Sequence, residues 1–349
     1  MHMADALISP AIGGTLWAVS GGLIVFCARK VKQSARDNLV PLMGILGAFV
    51  FAAQMINFSI PGTGSSGHLG GGLLLTLLLG PYAAFLVITS VLTIQAFFFA
   101  DGGLLALGCN IFNLGFFPAF VAYPLVYRVI AKDQHGTLRA KVATLLAAIV
   151  GLQLGALCVV LETLVSNISE LQIATFTLMM LPIHLAIGIV EGVATLAVIA
   201  VIARARPEAL FISSAEQRSG RLQPVFIGLA VATLMIGGLG SWFASTHPDG
   251  LEWSLAKVTG NEDVTGEEIG IHKTLSEFQG KTALLPDYGF KTDGGENKTA
   301  EASGNQQEPW PSVNAGTSLS GITGGVLTLA LACLIGLVLR LGGNSGSRQ

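Results

Sequence analysis

Uninterrupted apolar runs about as long as a lipid bilayer is thick recur along this chain, and they restrict it to few architectures. "LLAAIVGLQLGALCVVLETLV" and "GITGGVLTLALACLIGLVL" are two of them, each near the roughly 20 residues that a helix needs to cross the hydrocarbon core. Inside lipid every backbone N–H and C=O must find its partner within the protein, so such runs are helices. Composition agrees: of 349 residues, 52% are hydrophobic and only 11% charged, against roughly 25% charged in an average soluble domain. The expected fold is an all-α membrane protein, a polytopic helical bundle.

Apolar runs between polar breaks place spans near 8–28, 40–58, 82–100, 104–128, 142–165, 179–203, 225–244 and 320–341. The stretch "LGGGLLLTLLLGPYAAFLVITSVLTIQAFFFA" holds either one span or two separated at Gly80-Pro81, where proline lacks the helical N–H and glycine relaxes the backbone. Basic residues decide it. Arg29, Lys30, Lys32 and Arg36, then Arg128, Lys132, Arg139 and Lys141, then Arg204, Arg206, Arg218 and Arg221, and finally Arg340 and Arg348 form four clusters. All of them face the cytoplasm only if that stretch crosses twice. About nine spans follow, with the N-terminus outside and the C-terminus cytoplasmic. The extra span, about 69–80, is too short to cross unaided, so it must be sheltered by neighbours or meet a loop folded into the bundle.

Residues 245–319 hold the other five lysines, twelve Asp or Glu and many small polar residues. This composition suits a long, acidic, partly disordered external loop. It marks a division into a seven-span unit, 1–222, and a two-span unit, 223–349, that carries the loop. Cys27, Cys109, Cys158 and Cys333 fall inside apolar runs without C-x-x-C spacing, so they are expected to pack rather than to bridge or bind zinc.

The loop entering the short span reads "GTGSSGHLGGG" and contains G-x-G-x-x-G. A dinucleotide fingerprint must follow a strand, open a helix and precede an acidic residue about 20 positions on. Here the motif follows "FVFAAQMINF" and a proline, and no acidic residue lies between His68 and Ala100. The glycines instead let backbone pass closely between helices and present one imidazole, His68, on the external side. The N-terminus "MHMADALISP" lies on that same side. The Met1 amine, the His2 amide nitrogen and His2 Nδ1 form a ready chelate of one five- and one six-membered ring. With His68 as fourth ligand the set is a square-planar N4 plane, which selects Ni(II) or Cu(II), with Co(II) a competitor.

Other polar residues in apolar surroundings are candidates by default. His184 and Glu191, two turns apart on roughly one face, read as a buried inter-helix contact or a functional pair, as do Glu162, Gln153, Gln95 and Asn57. Asp5 and Ser66 are placed to orient ligand imidazoles. Asp101 reads as a helix cap rather than a ligand, and His135, His247 and His272 as solvated loop histidines.

"MHMADAL", "FVFAAQMINFSIPGTGSSGHLGGGLL" and "FFADGGLLALGCNIFNLGF" resemble the CbiM/NikM family, the substrate-binding S components of energy-coupling-factor transporters for nickel and cobalt. The resemblance covers about residues 1–210. "THPDGLEWSLAKV" resembles the small CbiN/NikN component, whose P-D-G-L-E signature stands at 248–252, so the chain looks like an M–N fusion. The resemblance implies metal held by Met1, His2 and His68, and import of Ni(II) or Co(II) as cargo with no resident cofactor. It implies as partners a membrane coupling (T) subunit and two cytoplasmic ATPase subunits, in the cytoplasmic (inner) membrane of a prokaryote. No nucleic-acid partner is expected. The chain is not expected to be an enzyme, since it carries no G-x-x-x-x-G-K-[ST] phosphate loop. Two rivals stand beside this reading: a secondary metal-ion transporter coupled through Glu162 and Glu191, and a membrane metallo-hydrolase using His184, Glu191 and His68. The second lacks any H-E-x-x-H spacing.

Overall fold

The structure is a computed structural model that describes residues 2–33, 38–132, 136–168, 171–205, 210–211, 223–261, 270–291 and 310–344. It is mostly helical. The helices are α1 (Pro10–Lys32), α2 (Leu39–Gln54), α3 (Gly72–Leu79), α4 (Pro81–Phe99), α5 (Leu107–Ala131), α6 (Leu138–Ser166), α7 (Ile173–Ala205), α8 (Gln223–Gly238), α9 (Gly250–Thr259), α10 (Gly270–Thr282) and α11 (Ala315–Asn344). A hairpin, β1 (Phe58–Ile60) and β2 (Ser65–Gly67), pairs antiparallel with Ser59 opposite Ser66.

Six of these helices, α1, α4, α5, α6, α7 and α11, are long and apolar enough to cross a membrane. The apolar helices α2 and α8 are shorter. Both are apolar all round rather than striped: α2 is buried within the protein from Leu42 to Gln54, whereas α8 exposes Ile227, Val231, Leu234 and Met235. Side chains such as Val25, Leu178, Val193 and Leu337 are exposed on the outside of the bundle, a surface suited to lipid.

The expected break at Gly80-Pro81 is there. Gly80 sits at φ 87°, in a region that favours glycine, and Pro81 opens α4, where its missing N–H costs nothing. Helix α3 is only eight residues, about 12 Å long, and every one of its residues is buried. It is sheltered by its neighbours as its length requires. A side-chain carbon on Gly72 would lie 2.6 Å from the Leu114 carbonyl oxygen of α5, so glycine is what allows the two backbones to approach. In α5, Pro118 and Pro124 cannot donate to the usual carbonyls, and the segment Phe112–Tyr127 winds as a π-helix.

Part of the acidic segment is ordered. Helices α9 and α10 and a single turn at Pro286–Tyr288 are ordered within it. Asp249 caps α9, accepting from the Leu251 and Glu252 N–H groups, while Glu252 accepts from the Asp249 N–H. This capping box satisfies orphan donors that a lone acidic coil would leave to water. Residues 262–269 and 292–309 lie outside the described residues, as do Arg36, Arg206, Arg218, Arg221, Arg348 and His135.

Candidate metal centre

The two described nitrogen ligands expected from the sequence come together. The rings of His2 and His68 lie 5.1 Å apart between centroids, with planes only 8° from parallel. Both side chains are nearly buried, at 8% and 9% exposure. Met1 lies outside the described residues. Among the described residues no three His, Cys, Asp or Glu side chains converge on a point that could hold a metal ion.

The segment that carries His2 is clamped in place. The Met3 N–H donates to Asn110 Oδ1 at 2.8 Å, and the Met3 carbonyl accepts from Asn110 Nδ2 and from the Gly103 N–H. Asn113 of α5 reaches the same neighbourhood and donates to Glu162 of α6 at 2.8 Å. Asp5 accepts from the Ala106 N–H and so steadies the start of α5, rather than orienting an imidazole as expected.

His68 is carried by the hairpin and the glycine turn that follows it. Its Nδ1 lies 3.2 Å from the Leu69 carbonyl. A carbonyl only accepts, so Nδ1 carries the proton and Nε2 the lone pair. Burial first, and the nearby His2 among other positive charges, lower the His68 pKa to about 3. The ring is therefore neutral, the state in which it can ligate.

Glu191 of α7 fixes the backbone beyond His68. Its two carboxylate oxygens accept from the Gly70 and Gly71 N–H groups at 2.9 and 3.1 Å. Gln54 of α2 donates to the Gly70 carbonyl and accepts from Gln95 of α4. Glu191 thus makes a buried polar contact beyond its own helix, with the loop, whereas the hydrogen bond of His184 stays within α7: its Nδ1 bonds the Met180 carbonyl at 2.7 Å. Gln153 donates to the Leu181 carbonyl, an inter-helix contact of the expected kind.

Asp101 is not a cap. Helix α4 ends at Ala100 in the left-handed conformation, and Asp101 Oδ1 lies 3.1 Å from His2 Nδ1, while Tyr288 Oη donates to its other oxygen. Burial pushes the Asp101 carboxyl up, but His2 and the Tyr288 hydroxyl outweigh it and hold it well below the usual carboxylate range. Tyr288 in turn is raised well above its ordinary value, by burial and then by Asp101.

The P-D-G-L-E segment sits on the metal loop. The Ser66 N–H donates to the Pro248 carbonyl at 2.8 Å, Ser66 Oγ to the His247 carbonyl at 2.7 Å, and Trp253 Nε1 to the Thr63 carbonyl. Ser66 thus holds this segment rather than an imidazole. Asp249 Oδ2 stands 4.0 Å from His68 Nε2. The Asp249 carboxylate beside it, more than burial, pushes Glu252 up to about 7. His272 of α10 is not a solvated loop residue either: its Nε2 bonds the Ile8 carbonyl at 2.9 Å. Asn57 accepts through its carbonyl from the Ser245 N–H. Above the two imidazoles opens a cavity of about 850 Å³, lined by Asp101, Asp249, Glu252 and Asp287 among others. Its carboxylates favour a cation.

A bundle of long apolar helices enclosing paired imidazoles under an acidic vestibule is the architecture of a multi-pass membrane protein with a cavity that favours a cation. The family model "Cobalt uptake substrate-specific transmembrane region" matches residues 2–209, and the PDGLE domain model matches 223–341. The chain belongs to the CbiM family of nickel and cobalt transport proteins, with a CbiN-like PDGLE domain following in the same polypeptide. It is 32% identical over 331 residues to a provisionally named fused nickel transport protein NikMN of Archaeoglobus fulgidus, covering 95% of this chain and 96% of that one. A cobalt transport protein CbiM of Clostridium tetani is 31% identical over 43% of this chain and 61% of its own. Two crystal structures of transition metal transporters, one truncated, align with TM-scores of 0.53 and 0.52. Each is 31% identical over 59% of this chain, covering 94% and 99% of their own. These relatives are named as metal transport proteins.

Proposed function

We propose that the chain captures Ni(II) or Co(II) at the external face of a prokaryotic cytoplasmic membrane, as the substrate-binding component of an ATP-driven energy-coupling-factor importer. The ligands are the Met1 amine, the amide and imidazole of His2, and the imidazole of His68. Residues 1–222 form the metal-binding unit and 223–349 the small unit whose P-D-G-L-E segment rests on the metal loop. Counting the six long helices with α2, α3 and α8, the chain crosses nine times, N-terminus outside and C-terminus cytoplasmic. The energy comes from ATPase subunits acting through a membrane coupling subunit.

The observation that carries this reading is the parallel pair of buried imidazoles, His2 and His68, on a segment clamped at Met3. Parallel ring planes suit two imidazoles that share one coordination plane. Loading requires one rearrangement, because His2 Nδ1 faces Asp101: the ring turns about its Cβ–Cγ bond, or the metal displaces the carboxylate. His2→Ala and His68→Ala each remove one nitrogen from the plane, and isothermal titration with Ni(II) is expected to show loss of high-affinity binding in both. Near wild-type affinity in either variant would overturn the assignment.

A further inference from the structure

His184 is a third buried imidazole close to the loop, and the outer site does not use it. It is 1% exposed. The Met180 carbonyl holds its Nδ1 at 2.7 Å, so Nδ1 bears the proton and Nε2 the lone pair. That Nε2 is buried with no hydrogen-bond partner among the described residues. An orphaned buried acceptor is costly to a fold, so its retention calls for a use.

The space beside it supplies one. A cell of about 10 Å³ is lined by His184, His68, Asp249, Gly250, Gly67 and Ile187, close to the smallest volume that holds one water. His68 lines both this cell and the vestibule, whereas His184 lines only the cell. The cell is kept by a glycine: a side-chain carbon on Gly250 would come within 3.0 Å of His184 Cε1 and 2.8 Å of Ile183 Cγ2.

We propose that His184 Nε2 is an inner ligand that receives the metal from the outer site. Resting on the reading of Met1, His2 and His68 as that outer site, the metal moves past His68 into the cell. One metal–nitrogen bond on the outer side breaks as the bond to His184 Nε2 forms, and Asp249 and water complete the coordination. No proton has to leave His184, because its lone pair is already exposed to the cell. With no three described side chains converging on one point, this is a position for handing the metal on, not for storing it.

The test compares His184→Ala and His184→Gln with wild type, using Ni(II) alone as probe and the full chain with its coupling and ATPase partners in proteoliposomes. Glutamine can still accept a hydrogen bond from a water in the cell but is a poor ligand for Ni(II) beside an imidazole. Both variants are expected to bind one Ni(II) with affinity within about threefold of wild type and an unchanged visible spectrum, and to import it at least tenfold more slowly. Wild-type import by His184→Gln would overturn the proposal. So would weakened binding with an altered spectrum, which would make His184 a support of the outer site. Failure of wild type itself to import either Ni(II) or Co(II) with ATP would instead refute the proposed function.

Discussion

Glu191→Gln is the sharpest probe of how the membrane helices hold the metal loop. The carboxylate accepts from two successive backbone N–H groups, Gly70 at 2.9 Å and Gly71 at 3.1 Å, within a site where Glu191 is 3% exposed. A carboxamide has the same shape but only one accepting oxygen, so one of the two N–H groups meets an NH2 and is left without a partner. A hydrogen bond to a charged group contributes about 1.5–3 kcal/mol. If that loss falls on the closed loop that presents His68, Ni(II) affinity drops roughly 10- to 150-fold, since about 1.4 kcal/mol is tenfold. Isothermal titration gives the affinity, and the visible spectrum of the loaded protein reports the ligand plane. The expected result is weaker binding at one metal per chain with the wild-type spectrum, because the ligands themselves are intact. Wild-type affinity would refute the claim that Glu191 positions the loop.

Asn110→Ala removes two of the three hydrogen bonds that clamp Met3 and strands its N–H in a buried place; Ni(II) binding is expected to weaken roughly 5- to 150-fold, from about 1–3 kcal/mol of lost support, and unchanged titration curves would contradict it. Acid should destabilise the apo fold through His68, whose folded-state pKa is depressed to about 3 from 6.5. Below about pH 6.5 the unfolded chain takes the proton first, so stability falls by up to about 1.4 kcal/mol per pH unit until about pH 3. Thermal unfolding in detergent should show a flatter dependence in His68→Ala, and identical slopes would dispose of the idea. Ni(II) affinity should also fall between about pH 8 and pH 5.5, because the amine and the amide must lose protons to ligate; a flat profile by titration would point to carboxylate ligands.

The long helices and the Gly80-Pro81 break were legible because both are local: a run of apolar residues has one solution in lipid, and a glycine before proline has a distinctive backbone role. His2 and His68 could be paired from the sequence by placing both on one face of the membrane. Asp101 could not be read correctly, since its partners, His2 and Tyr288, lie 99 and 187 residues away along the chain. Glu191 was visible as a buried acid but not as a grip on the loop, for the same reason. Asn110 and Gln54 were given no role, and Asp249 was read only as a letter of the P-D-G-L-E signature. For Asp249 a signal existed: D-x-x-E before an apolar run is a capping box, and averaging composition over 245–319 hid it. The same averaging concealed α9, which packs on α7 and the hairpin, and α10, which rests on α4 and the N-terminal segment, rather than on a core of their own.

The central claim is that the metal is held by the chain's own amino terminus, and one measurement bears on it most directly. Adding one or two residues before Met1 turns the amine into a peptide amide and moves the histidine out of its chelate ring, while leaving both imidazoles able to reach the metal. Bound Ni(II) per chain, measured on the purified extended protein beside the native one, is expected to fall from one to near zero. Full loading of the extended protein would show that the amine is no ligand and would contradict the four-nitrogen site.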